Sequence, residues 1–86
     1  MSRAEQIRQR LAVMCPVSLA VVDESHHHAG HAGAGTESHF RLEIVTDAFA
    51  GKSTVARHRM IYSALGDLMH NGIHALTIQA RTPQEL

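Results

Sequence analysis

Histidine is the residue type best able to do chemistry in this chain of 86 residues, which contains eight of them. Four lie within six positions of a glycine-rich stretch, at His26, His27, His28 and His31. Neutral imidazole is a ligand for iron, zinc and copper, and glycines allow a loop to close around a metal. The same composition is also typical of a solvated loop without a ligand. The stretch therefore indicates either a metal-binding loop or a loop with no specific chemistry.

A further histidine, His74, begins a predicted strand directly after the turn residue Gly72. It shares the alternation of Leu76 and Ile78, which places it on the packed face of the strand or at its margin. A lone histidine on an apolar face is commonly a core residue. At the beginning of a strand, however, a rigid element can also present a ligand to solvent. The pattern is compatible with both interpretations.

Other residues with reactive side chains form no recognisable catalytic motif. Gly51-Lys52-Ser53 is similar to the end of a phosphate-binding loop, but position 46 is Thr46, where such a loop requires glycine. Cys15 is the one cysteine, so no internal disulfide can form and we expect a reducing, cytoplasmic location. We expect Cys15 itself to be a small buried residue. We therefore predict a binding protein and not an enzyme.

Two arginines flank His58 in the segment Arg57-His58-Arg59. His58 lies on the apolar face of a predicted helix, where we expect it to be buried, whereas both arginines should project outward. They form either a solvated surface or an anion-binding patch. His39 and His70 belong to no motif and are interpreted as surface residues.

Hydrophobic periodicity predicts the order α-β-β-α-β, with helices at about residues 2–14 and 54–69 and strands at 17–23, 40–45 and 73–80. A hairpin, a crossover helix and a third strand make a three-stranded mixed sheet, with both helices on one face of a two-layer α/β sandwich. We expect a single domain over residues 1–86. The sequence contains no run of about 18 apolar residues, which a membrane span would require.

Ten aliphatic residues are predicted to form most of the core. They are Ile7, Leu11, Leu19, Val21, Leu42, Ile44, Ile61, Leu65, Leu76 and Ile78. The first strand should be covered on both faces and the second should have a solvated outer face. Residues 26–35 are predicted to be the most mobile internal segment, because Gly and Ala make few packing contacts.

Several short motifs occur in one order along the chain. They are DES at 23–25, ESHF at 37–40, FAG at 49–51, RHRMIY at 57–62, IHAL at 73–76 and TPQE at 82–85. Each motif alone has little specificity, but the combination resembles the BolA-like protein family over about residues 5–85. The resemblance implies a fold similar to the class II KH domain, which agrees with the element order predicted above.

The resemblance also implies a function. BolA-like proteins pair with monothiol glutaredoxins, and the heterodimer can share a 2Fe-2S cluster in iron-sulfur or iron homeostasis or redox sensing. The family's ligands correspond here to His74 and to a loop histidine, His28 by its position before Ala29 or His31 in the repeated His-Ala-Gly. The loop has no cysteine, so the chain resembles a His-loop branch. We expect no cluster in the isolated chain.

A second role that the resemblance implies is DNA-binding transcriptional regulation. Arg57, Arg59, Lys52 and Arg81 would form the nucleic-acid or partner surface of the KH-like fold. Eight basic residues balance eight acidic ones, and aromatic residues make up 3% of the chain. Both numbers predict weak DNA binding at most, because affinity for nucleic acid depends on positive charge and base stacking. A homodimer is also compatible with the sequence.

Overall fold

The first helix, α1, spans Arg3–Leu11 in a computed structural model that describes residues 2–24 and 39–86. Ser2 caps it, because its Oγ accepts a hydrogen bond from the backbone N–H of Glu5 at 3.2 Å. A 3-10 turn over Ala12–Met14 extends the helix, and Cys15 then adopts a left-handed conformation with φ of 48°. The helix predicted at residues 2–14 is therefore confirmed.

Three strands form one mixed sheet in the order β1-β2-β3. The strands are β1 (Ser18–Asp23), β2 (His39–Val45) and β3 (Ala75–Arg81). β1 and β2 are antiparallel, and β2 and β3 are parallel. The predicted sheet is confirmed, although β3 begins two residues later than expected.

The second helix, α2, spans Thr54–Leu65 and crosses from the end of β2 to the start of β3. Ser53 caps it by accepting a hydrogen bond from the N–H of Ala56 at 3.1 Å. The helix was predicted to continue to residue 69. It ends earlier because Gly66 has φ of 56°, and a 3-10 turn over Gly66–Met69 follows.

The core lies between one face of the sheet and the two helices, as predicted. Seven of the ten predicted core residues are buried, and Leu19, Leu76 and Ile78 are half-buried because they lie on the edge strands. Phe40 and Phe49 are also buried, so aromatic side chains contribute more to the core than their number suggests.

Two expectations about burial are wrong, and both concern the β1 side of the molecule. Cys15 is exposed and not buried. The outer face of β1 is not covered either, since Ser18 is exposed and Val22 is 37% exposed. Both helices pack on the other face, so no described element covers these residues. The outer face of β2 is solvated as predicted, with Arg41 and Glu43 exposed.

Two further expectations depend on which residues are described. The segment 26–35, predicted to be mobile, lies outside the described residues. Within residues 2–24 and 39–86, no helix has the length and apolar character needed to cross a membrane.

Candidate metal-binding end of the sheet

His74 directly precedes β3, and its side chain is exposed. The residue before it, Ile73, is only 6% exposed, and its N–H donates a hydrogen bond to the carbonyl of Leu68 at 3.2 Å. Buried Ile73 and the β3 ladder therefore fix the backbone on both sides of His74. The exposed side chain excludes the interpretation of His74 as a core histidine, and its role as a ligand stays a prediction.

Gly72 gives the turn before His74 its shape. Its φ is 137°, a conformation that other residues rarely adopt, and the guanidinium group of Arg3 occupies the space where a Cβ would lie. Arg3 belongs to α1, so the first helix packs directly against the turn that presents His74. A side chain at position 72 would strain the backbone and displace Arg3.

His39 is the residue that the sequence pattern missed. It is the first residue of β2 and pairs with Ala75 in the parallel register. Its ring centroid lies 5.2 Å from that of His74, with 49° between the ring planes. We call these two residues the histidine end of the sheet. Only the β2–β3 register reveals the pair, because the two residues are far apart in sequence.

The loop histidines His28 and His31 lie outside the described residues, so their position stays a prediction. Both ends of their segment are nevertheless at the histidine end. The N–H of Glu24 donates to the carbonyl of His39 at 2.8 Å, and residues 25–38 connect these two positions. Glu24, the last described residue before the segment, is therefore hydrogen-bonded to the histidine end.

Two adjacent imidazoles can supply two ligands to a metal such as iron or zinc. Within the described residues, no group of three or more His, Cys, Asp or Glu side chains is placed to hold a metal ion. The acidic residue Glu24 is 3.7 Å from Arg41, which balances its charge. The histidine end has two imidazoles, so a metal with four ligands would need further ligands from elsewhere.

The predicted basic surface has a different organisation from the one expected. Arg57 was expected to project outward, but its side chain is only 11% exposed. Its guanidinium contacts both carboxylate oxygens of Glu85, at 2.6 and 2.8 Å. It also donates to the carbonyls of Ala80 at 3.1 Å and Lys52 at 3.0 Å. We call this arrangement the arginine clamp, and its role is to join α2, β3 and the C-terminal turn.

The clamp perturbs the titration of both of its ionisable groups. The hydrogen bonds from Arg57 and from the N–H of Thr82 lower the pKa of Glu85 from 4.5 to about 2. The hydrogen bond to Glu85 raises the pKa of Arg57. Both groups therefore stay ionised across the physiological pH range, and Arg57 is not free to bind a phosphate.

The other members of the predicted surface remain available. Lys52, Arg59 and Arg81 are exposed. His58, which was expected to be buried, is half-buried and packs its ring edge against Tyr62, with centroids 6.4 Å apart. The residues that remain form a dispersed set of positive charges around the clamp.

Comparison with known proteins gives a consistent result. The sequence model of the family described as BolA-like protein matches residues 9–85. The chain is 50% identical over 92 residues to SufE-like protein 1, chloroplastic/mitochondrial, from Arabidopsis thaliana, which covers 99% of the chain and 25% of that protein. It is 44% identical over 82 residues to the DNA-binding transcriptional regulator BolA of Escherichia coli, covering 94% of the chain and 76% of the regulator.

A solved structure is similar over the full length of the fold. BolA1 from Arabidopsis thaliana superposes with a TM-score of 0.89 and 40% sequence identity, covering 100% of this chain and 97% of that one. The chain spans a quarter of SufE-like protein 1 and about half of the full-length Arabidopsis protein named BOLA1, chloroplastic. The similarity therefore concerns one domain of these longer relatives.

Proposed function

The chain belongs to the BolA-like protein family, and from that premise we propose that it pairs with a monothiol glutaredoxin and shares a 2Fe-2S cluster with it. The observation that carries the proposal is the pair of adjacent imidazoles, His39 and His74, at one end of the sheet. Imidazole ligation of one iron and thiolate ligation of the other is an established arrangement for 2Fe-2S clusters. We assign His74 as the ligand held by the β3 strand, and His28 or His31 as the loop ligand.

The position of the one cysteine supports the need for a partner. Cys15 lies near Thr46, whose Oγ1 donates to the carbonyl of Met14 at 2.7 Å. His39 is at the opposite end of β2, and a strand of this length spans roughly 20 Å. Cys15 therefore lies too far away to ligate a metal at the histidine end. Thiolates for a cluster must come from another protein, as the pairing with a glutaredoxin requires.

The two imidazoles have separate roles in the proposed site. His74 is immobilised before binding, because Ile73 and the β3 ladder hold its backbone. A loop histidine must become ordered when it ligates, at a cost of roughly 1–2 kcal/mol per residue fixed. His39 lies beside His74, where it either orients the ring or replaces a loop ligand. The cluster, when bound, contributes one-electron redox chemistry or is passed to another protein, and this chain contributes the ligands.

Co-expression with a monothiol glutaredoxin tests the proposal. The purified complex should show the visible absorption and circular dichroism of a 2Fe-2S cluster, and His74→Ala should abolish or strongly alter that spectrum. His28→Ala or His31→Ala alone should weaken it, and the double variant should resemble His74→Ala. The matched control is His70→Ala, since His70 is an exposed histidine outside the pair. An unchanged spectrum in His74→Ala would reject the assignment.

Titration provides an independent test of imidazole ligation. A protonated histidine cannot ligate iron, so acid should release the cluster as protons compete with iron for the imidazole nitrogens. His39→Ala in the same titration shows whether His39 takes part. If it is a ligand or orients one, its removal changes the pH midpoint of cluster loss, and an unaltered midpoint assigns it no role.

A second candidate function is weak DNA binding through Lys52, Arg59 and Arg81. The observation in its favour is the 44% identity to a protein named as a DNA-binding transcriptional regulator. Arg59→Ala should weaken salt-sensitive DNA binding by removing an exposed charge, whereas Arg57→Ala would remove the arginine clamp. Cluster binding should not change in Arg59→Ala. The cytoplasmic location stays a prediction, because SufE-like protein 1 carries a chloroplastic/mitochondrial designation.

A further inference from the structure

The outer edge of β3 presents hydrogen-bonding groups that no described strand uses. β3 pairs only with β2 in the described sheet. The carbonyl of Arg81 accepts a hydrogen bond from the N–H of Thr46 at 3.0 Å, so the backbone groups of Arg81 face β2. Backbone groups alternate in direction along a strand. Those of Leu76, Ile78 and Ala80 therefore point away from the sheet.

The side chains of β3 do not protect this edge. Natural sheets commonly block an exposed edge with Lys, Pro or a bulge. Residues 75–80 have the sequence ALTIQA, which contains no charge and no proline. β3 has a charge only at its last residue, Arg81, whereas the central strand has charged residues at Arg41 and Glu43. On the core side of β3, Leu76, Ile78 and Ala80 are only half-buried. The strand therefore combines free backbone groups with incompletely covered apolar side chains.

The opposite edge of the sheet has charged protection. The hydrogen bond from Glu24 N–H to the carbonyl of His39 shows that even-numbered residues of β1 face β2. The carbonyl of Leu19 therefore points outward, and it accepts a hydrogen bond from Nη1 of Arg8 at 3.4 Å. A charged side chain from α1 thus covers the middle of the β1 edge.

On β3, the corresponding protection reaches only the last outward carbonyl. Nη1 of Arg57 donates to the carbonyl of Ala80, and Glu85 holds Arg57 in this position. The outward groups of Leu76 and Ile78 are not covered by any side chain within the described residues. The arginine clamp therefore closes one end of an edge whose remaining length is open.

We propose that the outer edge of β3 binds β3 of a second copy of this chain in antiparallel orientation, centred on Ile78. The strand is self-complementary in this register. Ile78 faces Ile78 of the second copy, Leu76 faces Ala80, and both pairs have outward backbone groups that can exchange hydrogen bonds. Thr77 and Gln79 face each other as polar pairs on the open face. The result is a two-fold symmetric dimer with a continuous six-stranded sheet.

The clamp limits this association, because Arg57 occupies a carbonyl that the second copy would use. Each dimer contains two such carbonyls, one from each chain. Removing the hydrogen bond from Arg57 to the Ala80 carbonyl should therefore lower the dimer dissociation constant about tenfold. The net gain of two hydrogen bonds corresponds to a factor of that order.

Cysteine pairing tests the register directly in a Cys15→Ser background. Thr77 and Gln79 of opposite copies form a non-hydrogen-bonded pair, whose short separation suits a disulfide. Neither Thr77→Cys nor Gln79→Cys alone should form a covalent dimer efficiently, whereas a mixture of the two variants should do so under mild oxidation. Equal cross-linking of the single variants and the mixture would reject the register, and no cross-linking in any sample would reject the interface.

Sedimentation velocity across a concentration series tests the role of the clamp. Arg57→Met should lower the dimer dissociation constant about tenfold, because it removes the guanidinium that donates to the Ala80 carbonyl. The matched control is Arg8→Met, which frees the Leu19 carbonyl on the β1 edge and should leave the dissociation constant unchanged. Tighter association in Arg8→Met but not in Arg57→Met would place the interface on β1 and overturn the proposal. An unchanged constant in both variants would overturn the limiting role of Arg57.

Discussion

The two ends of the sheet contrast in how their polar groups are held. At one end, His74 is exposed and contacts His39, and these imidazoles remain accessible to a metal or a partner. At the other end, the guanidinium of Arg57 is almost fully covered and makes four hydrogen bonds, to one side chain and two backbone carbonyls. The first arrangement leaves the side chain of His74 exposed to solvent, whereas in the second the guanidinium is bonded within the fold. Residue type alone therefore did not indicate which end is available for binding.

The largest effect on stability is expected beneath the clamp, at Phe49. Its side chain is fully buried, and its ring centroid lies 5.8 Å from Cζ of Arg57. Phe49→Ala should lower the free energy of unfolding by about 3–5 kcal/mol, because it leaves a cavity in the core. Urea denaturation measures the change, and Phe49→Leu should be much milder. A loss below about 1 kcal/mol would show that this end of the sheet does not depend on the core beneath it.

A smaller loss is expected for the buried hydroxyl of Thr46. This residue is 1% exposed, donates to Met14 and accepts a hydrogen bond from the N–H of Ala48 at 3.1 Å. Thr46→Val should lower the free energy of unfolding by about 1–3 kcal/mol, because two buried backbone groups lose their partner. Thr77→Val is the matched control, since Thr77 is exposed. Equal effects of the two substitutions in denaturation curves would contradict this prediction.

The two ends of the sheet should respond differently to a fall in pH. The pKa of Glu85 is lowered from 4.5 to about 2, so its ionised form stabilises the fold. That contribution is fully present above pH 4.5 and is lost as the pH falls towards 2. The difference in melting temperature between the wild-type chain and Glu85→Gln should disappear over this range. Loss of a bound cluster should be a separate transition, because it depends on protonation of imidazole and not of the Glu85 carboxylate. Coincident transitions would argue against separate titrating groups.

The smallest effect on stability is expected at the histidine end. His74→Ala should change the free energy of unfolding by no more than about 0.5 kcal/mol, because the side chain is exposed and leaves no cavity. The same substitution should remove the cluster spectrum of the glutaredoxin complex. A loss of stability above about 1 kcal/mol would favour the core-histidine interpretation of His74 instead.

Much of the fold was predictable from local patterns. Alternation located all three strands to within two residues, because side chains on a strand face two environments. Hydrophobic periodicity also located both helix starts to within one residue, where the structure shows Ser2 and Ser53 accepting hydrogen bonds from free N–H groups. The end of α2 was less predictable, because the positive φ of Gly66 depends on how the chain turns towards β3.

The candidate site was predictable only in part. Position in the strand pattern left both interpretations of His74 open, and the structure favours the exposed one. His39 was missed and Arg57 was wrongly expected to be free, and both errors have the same origin. Each residue is defined by a partner distant in sequence, His74 for His39 and Glu85 for Arg57. No periodicity encodes such a contact.

The sequence by itself determined the order of elements, the aliphatic core and the concentration of histidines before β2, because these follow from local preference and hydrophobic alternation. The tertiary structure alone decided which polar groups meet. The parallel register of β2 and β3 brings His39 to His74, and the C-terminal turn brings Glu85 to Arg57. Such contacts arise from the packing of elements that are distant in the chain, and only the assembled fold specifies them.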